Sequence, residues 1–110
     1  MRIPFDQGTP VGIRDSLSAH TVSTAYQLGW NTLLNGELLR VAEESGFEVL
    51  LTTDKNLVYQ QNTKSRKIAI VVLGQGRWSL IRPMLKEISE SIDIAQPGSY
   101  TFIDIPDAAR

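Results

Sequence analysis

The sequence predicts an α/β fold with a mainly parallel sheet. Short apolar runs alternate along the chain with segments in which apolar residues recur every three or four positions, a pattern typical of strands alternating with helices. Residues 68–73 are apolar without alternation, as expected for a central strand that is covered on both faces. The length of 110 residues matches a single domain over 1–110, with one hydrophobic core.

In the first half of the chain, turn-forming and capping residues separate the predicted elements. Asn35 is a suitable N-cap for a helix that Gly46 would end. In that helix Leu38, Leu39 and Ala42 should face inward, whereas Glu37, Arg40, Glu43 and Glu44 should face water. The elements expected before residue 54 are strands over 3–5, Thr21–Thr24 and Val49–Thr52, a short helix around Val11–Leu17, a short helical segment near 25–28 and the helix begun by Asn35.

In the second half, one strong helix is expected between two strands. Its apolar stripe recurs at steps of three and four, although Pro83 should confine the regular part to the residues that follow it. Pro97-Gly98 predicts a turn, and Pro106 with Asp107 should close a last strand at an edge of the sheet. The stripe consists of Trp78, Ile81, Leu85, Ile88 and Ile92, and the last strand contains Tyr100, Phe102 and Ile103.

Composition excludes several classes of protein. The apolar fraction of 42% is that of an ordinary globular chain, and the net charge of −1 provides no global attraction for a polyanion. Since the chain has no cysteine, disulfides and thiolate metal sites are excluded. Asp6 precedes any signal-like apolar stretch and the aliphatic run over 68–73 is too short to span a bilayer, so a cytoplasmic protein without a membrane partner is expected.

Two aspartates stand where predicted strands end. Asp6 follows the first strand and Asp54 follows the third, so in a parallel sheet both emerge at the carboxyl edge, where open α/β sheets bind ligands. Neighbouring carboxylates repel each other unless a cation or a shared proton lies between them. A divalent metal is therefore the first hypothesis for this pair.

Three short segments resemble motifs of a known family. Phe5-Asp6-Gln7-Gly8-Thr9-Pro10 resembles the Leu-Asp-Glu-Asn-x-Pro opening of small PIN-like domains. Leu51-Thr52-Thr53-Asp54-Lys55-Asn56-Leu57 resembles their Thr-x-Asp-x-Asp/Asn motif, and Asn35-Gly36-Glu37-Leu38-Leu39 resembles Asp-x-Glu-Ile-Leu at a helix start. The resemblance implies a three-layer α/β/α sandwich with a mainly parallel central sheet. It also implies kinship with metal-dependent ribonucleases, including the toxins of bacterial toxin–antitoxin pairs.

The resemblance implies a catalytic site made of carboxylates. Asp6 and Asp54 would bind Mg²⁺ or Mn²⁺ directly, Glu37 would be a third catalytic carboxylate and metal ligand, and Asn56 would add an amide oxygen. Hard cations prefer such oxygen ligands, and they supply the charge neutralisation and activated water that phosphodiester hydrolysis requires. The expected activity is hydrolysis of RNA.

Departures from the family pattern leave an alternative open. Gln7, Asn35 and Asn56 are neutral where the family often has carboxylates, which weakens metal affinity. The alternative is a catalytically degenerate PIN-like domain that binds RNA or protein. Structural roles also remain open, since Asp6 could form an Asx-turn, Asp54 could cap the following segment, and Glu37 could pair with a nearby arginine.

Further residues are candidates for contact with RNA or with a partner. Lys55, Lys64, Arg66 and Lys67 could contact phosphates, although such a run is more often a solvated turn. Trp30 and Trp78 could stack on bases, with Trp78 expected rather in the core.

Other features of the chain favour structural roles or leave partners open. Gly74-Gln75-Gly76 favours a tight turn over an incomplete dinucleotide motif, and His20 favours a structural role. The protein partners that the resemblance allows are an antitoxin protein and a second copy of the chain, which would bind through the 100–105 edge or through an exposed apolar helix face.

Overall fold

The computed structural model of the chain describes residues 1–6, 8–33, 35–54 and 67–106, and within these it leaves the side chain of Asn35 undescribed. Five strands form one sheet in the order β2-β1-β3-β4-β5, and every neighbouring pair is parallel. The predicted α/β fold with a parallel sheet is thus confirmed. The strands are β1 (Arg2–Phe5), β2 (Thr21–Thr24), β3 (Val49–Thr52), β4 (Ala69–Leu73) and β5 (Tyr100–Ile103).

The helices lie in the connections between these strands. A 3₁₀ helix, Val11–Leu17, connects β1 to β2, and an α-helix, α1 (Asn35–Glu44), precedes β3. Between β4 and β5 the chain forms α2 (Trp78–Ile81), a 3₁₀ turn over Arg82–Met84 and α3 (Leu85–Asp93). Pro83 therefore interrupts the predicted stripe helix, as expected for a residue that has no backbone N–H.

Two hydrophobic clusters lie on opposite faces of the sheet, because successive residues of a strand point to opposite sides. Val49 and Leu51 of β3 join a cluster with the 3₁₀ helix and α3, whereas Leu50 joins a cluster with α1. All five residues of β4 are buried, which confirms that this strand is covered on both faces. The complete three-layer sandwich stays a prediction.

Several local expectations differ from the structure. Residues 25–29 form hydrogen-bonded turns in place of a short helical segment. Helix α1 begins at Asn35 itself, and Gly46 follows its end with φ +83°, the left-handed conformation that glycine adopts at little cost. Glu43 does not simply face water, because its Oε2 accepts hydrogen bonds from the backbone N–H groups of Lys67 (2.5 Å) and Ile68 (3.2 Å).

Candidate functional site

The carboxyl edge of the sheet brings Asp6 and Asp54 to neighbouring strand ends. Phe5 of β1 pairs with Leu51 of β3, and the Asp6 N–H donates to the Leu51 carbonyl at 3.0 Å. The chain proceeds from β1 to β2 in one direction across the sheet and from β3 through β5 in the other. The two aspartates thus flank the point of reversal, where ligands of open α/β sheets bind.

Thr52 connects these two aspartates. Its hydroxyl donates to Asp6 Oδ2 at 2.7 Å and accepts from the Asp54 N–H at 3.0 Å. Thr52 is fully buried in the sheet, and these two hydrogen bonds give its hydroxyl both an acceptor and a donor within the protein. The hydrogen bond to Oδ2 orients the Asp6 carboxylate, and the bond from the N–H holds the backbone at which the Asp54 side chain begins.

The loop that follows Asp6 is closed by Thr9. The Thr9 N–H donates to the Asp6 carbonyl at 3.0 Å, and the Thr9 hydroxyl donates to the Leu51 carbonyl at 3.1 Å. Thr9 is buried. Backbone and side-chain hydrogen bonds of Thr9 thus fix the turn after β1 against β3.

Sequence reasoning missed both threonines. The available signal for Thr52 was a single polar residue at the end of the strand Val-Leu-Leu-Thr, in which every residue is buried. A hydroxyl in such a position requires a partner. Here the partner is the candidate metal ligand on the adjacent strand.

Glu37 is placed less favourably than the aspartates. It lies in the first turn of α1 and is exposed. Within the described residues, the structure contains no group of three or more acidic or histidine side chains that could hold a metal ion. The structure therefore brings Asp6 and Asp54 to one edge without assembling a third carboxylate there from the described part of the chain.

The remaining candidates divide between undescribed positions and the opposite edge of the sheet. Lys55, Asn56, Lys64 and Arg66 lie outside the described residues, so their predicted roles stay predictions. Lys67 is exposed and precedes β4. It consequently lies at the amino edge of the parallel sheet, and the structure does not bring it together with the two aspartates.

A cavity of about 510 Å³ opens beside Asp6 at the carboxyl edge. Its lining comes from the residues that follow β1 and from the end of β2 with the turn after it. Two of the lining side chains are apolar or aromatic and strongly exposed: Val11 at 54% and Tyr26 at 78%. The complete lining is Asp6, Thr9, Val11, Thr24, Ala25 and Tyr26.

The glycine turn after β4 is explained by packing. A Cβ atom on Gly76 would lie 2.7 Å from the Gly8 carbonyl oxygen, so the loop after β4 approaches the loop after β1 more closely than a side chain permits. The Gln75 amide donates to the Ile105 carbonyl at 2.7 Å. These contacts account for Gly76 and Gln75 without a bound nucleotide.

His20 and the tryptophans have neighbours in the described structure. His20 Nε2 lies 2.6 Å from Asp93 Oδ1, which agrees with the structural role favoured for this histidine. Trp30 packs edge to face on Phe47, with 5.3 Å between ring centroids. Trp78 was expected in the core but is 39% exposed; its ring lies over Gly12, where a Cβ atom would approach it to 2.7 Å.

Comparisons with family models, curated proteins and solved structures give no match for this chain. The PIN-like resemblance therefore rests on the three sequence motifs alone. Among the helices in the described ranges, none has the length and apolar character required to cross a membrane.

Proposed function

We propose that the chain is a PIN-like, cytoplasmic ribonuclease that hydrolyses RNA phosphodiesters with Mg²⁺ or Mn²⁺. The observation that supports it best is the placement of Asp6 and Asp54 at adjacent strand ends, at the point where the strand order reverses. The motifs that resemble those of the family contain the same two residues. The role of toxin in a toxin–antitoxin pair is part of the same proposal.

The donor set fits a hard divalent cation. Carboxylate oxygens are the ligands that Mg²⁺ and Mn²⁺ prefer, and two anionic groups at neighbouring strand ends favour a cation electrostatically. The Thr52 hydroxyl holds the Asp6 carboxylate in one orientation at 2.7 Å, as residues behind a metal ligand commonly do. When bound, such a cation supplies charge neutralisation on the phosphate and activation of the attacking water.

Metal binding is tested by thermal unfolding. Because a ligand stabilises the folded state that binds it, a metal concentration about a hundredfold above the dissociation constant adds about 2.7 kcal/mol of stability. We expect Mn²⁺ or Mg²⁺ to raise the Tm of the native protein and the substitutions Asp6→Asn and Asp54→Asn to abolish the shift. Asp104→Asn is the matched control, since Asp104 also follows a strand but is exposed, and β4 separates its strand, β5, from β3.

Cleavage is tested with purified protein, either metal, and both structured and single-stranded RNA. We expect metal-dependent cleavage that Asp6→Asn and Asp54→Asn remove and Asp104→Asn leaves intact. The absence of a thermal shift at millimolar metal would contradict a metal site at this edge. Cleavage that persists in both aspartate variants would come from a contaminating nuclease and would contradict the proposal.

A second candidate is a PIN-like domain that binds RNA without cleaving it. The observation in its favour is the cavity beside Asp6, whose apolar and aromatic lining can bind a ligand without a cation. Metal-independent RNA binding, together with no cleavage in either metal, would select this candidate over the ribonuclease.

A further inference from the structure

We propose that Tyr26 and Val11 form a subsite for an unpaired base of single-stranded RNA beside Asp6. The inference rests on the proposed function and names the part of the substrate that this cavity takes. The cavity adjoins Asp6, which under the proposed function would hold the cation that binds the reacting phosphate. Since one ribose separates a base from its phosphate, a base next to the cleaved bond would reach the cavity that Asp6 lines.

Exposure of Tyr26 favours a binding role over a packing role. The residue is 78% exposed, the highest value among the large apolar and aromatic side chains that the described structure exposes. A ring in that position adds little to the core. It offers a flat surface on which a base can stack, and such stacking tolerates any base because every base has a π-face.

The turn that presents Tyr26 is held in place before any ligand binds. The Ala25 N–H donates to the Phe5 carbonyl at 2.8 Å, which fixes the turn to the end of β1. Gln27 and Thr24 bond each other twice, through the Gln27 N–H to the Thr24 hydroxyl (3.1 Å) and through the Thr24 N–H to the Gln27 side chain (3.0 Å). A braced turn lowers the ordering cost of binding.

A positive charge stands beside this subsite. In a 3₁₀ helix the side chains at positions i and i+3 are eclipsed, so Arg14 lies in line with Val11. Arg14 Nη2 donates to Gln27 Oε1 at 3.1 Å, which places the guanidinium next to the Tyr26 turn. Its Nε–H is buried and has no acceptor among the described residues. Because a guanidinium binds phosphate oxygens, its positive charge favours a strand of nucleic acid over an apolar peptide.

Single-stranded RNA is the occupant that these features favour. A stacking surface requires a base that is not already stacked and paired inside a duplex, and RNA is read mainly through such unpaired bases. Of the two lining hydroxyls, that of Thr9 already donates to the Leu51 carbonyl, whereas that of Thr24 accepts from the Gln27 N–H and can donate its own proton to an acceptor at a base edge. The combination of aromatic ring, guanidinium and the Thr24 hydroxyl therefore favours a nucleotide.

The test is RNA binding measured by fluorescence anisotropy in a chelator, where a metal-dependent enzyme does not cleave. The probes are a labelled single strand of about 12 nucleotides, an abasic strand of the same length and a duplex. We expect Tyr26→Ala to weaken binding of the normal strand about tenfold or more and Tyr26→Phe to change it by less than about twofold. Phe102→Ala is the matched control, because Phe102 is 47% exposed on β5 at the opposite edge of the sheet.

The abasic strand separates stacking from charge. The abasic strand keeps every phosphate but has no base to stack. Its affinity for the native protein should therefore be about as low as the affinity of the normal strand for Tyr26→Ala. The Tyr26→Ala substitution should not lower the affinity for the abasic strand further. Equal affinities of the native protein and Tyr26→Ala for the normal strand would overturn the subsite. So would equal affinity for the duplex or the absence of binding by the native protein.

The outcomes separate the subsite from the proposed activity. Metal-dependent cleavage that requires Asp6, combined with unchanged binding by Tyr26→Ala, would overturn the subsite and leave the ribonuclease proposal standing. Binding that depends on Tyr26, without cleavage in either metal, would support the subsite and contradict the ribonuclease proposal.

Discussion

Replacing Thr52 by valine tests the hydrogen-bonded link between the two aspartates. Valine has nearly the shape of threonine and suits a strand, but it has no hydroxyl. The change removes a donor to the Asp6 carboxylate at 2.7 Å and an acceptor of the Asp54 N–H at 3.0 Å. Because Thr52 is fully buried, water cannot replace the hydroxyl at its position.

The expected cost follows from these two bonds. A hydrogen bond to a charged group contributes about 1.5–3 kcal/mol, and the N–H left without its acceptor adds to the loss. Burial of the extra methyl group offsets about 0.8 kcal/mol. We therefore expect Thr52→Val to lower the free energy of unfolding by about 2 kcal/mol, or the Tm by about 8 °C in a chain of this length.

The assay is urea unfolding followed by tryptophan fluorescence and circular dichroism, whose coincidence checks two-state behaviour. Thr52→Ser is the control, since serine keeps the hydroxyl and loses one buried methyl group, at a cost of about 1 kcal/mol. In an Asp6→Ala background, Thr52→Val should cost about 1–2 kcal/mol less than in the native protein. Two results would refute the hydrogen-bonded link between the aspartates: a Thr52→Val variant as stable as Thr52→Ser, or a Thr52→Val cost that is the same in the native and Asp6→Ala backgrounds.

Two further perturbations test the hydrogen bonds before β4 and the contact between the loops that follow β1 and β4. Glu43→Ala should lower the free energy of unfolding by about 1–2 kcal/mol, because it removes the acceptor of two backbone N–H groups at 67–68. The control Glu44→Ala breaks an exposed ion pair and should lower the free energy of unfolding by less than about 0.5 kcal/mol. Equal costs in urea unfolding would contradict the role assigned to Glu43. Gly76→Ala should cost about 1–3 kcal/mol, since its Cβ would lie 2.7 Å from the Gly8 carbonyl oxygen, and native-like stability of that variant would contradict the close approach of the two loops.

Elements whose pattern reflects burial were predictable from the sequence. The unbroken apolar run of β4 predicted a strand covered on both faces, and the spacing of Leu38, Leu39 and Ala42 predicted the inner face of α1. In both cases the side chains themselves meet the core, so local pattern and tertiary environment agree. The 25–29 segment stops after a single turn: the Leu28 N–H donates to the Thr24 carbonyl at 3.1 Å as in a helix, but Gly29 has φ +76° and the Trp30 N–H donates to the Ala25 carbonyl at 2.8 Å, a pattern that ends a helix.

The candidate site was predictable only where it depends on chain position. Asp6 and Asp54 follow strands, and parallel strands end at one edge, so their placement follows from the strand assignment. Thr52 could not be assigned, because its partner lies 46 residues away on another strand. Trp78 was assigned to the core from its spacing, but Pro83 separates α2 from α3, and the ring instead lies over Gly12.

The cavity lies beside Asp6 because the chain leaves β1 and β2 toward opposite faces of the sheet. After β1 the chain enters the 3₁₀ helix, which packs with the cluster on one face, and after β2 it leads to α1, which packs with the cluster on the other face. The two connections diverge, and the space between them is lined from both sides by Asp6, Val11 and Tyr26. A ligand bound in this cleft would contact both Asp6 and the Tyr26 turn, and under the proposed subsite the Tyr26 ring would orient that ligand relative to the Asp6 carboxylate.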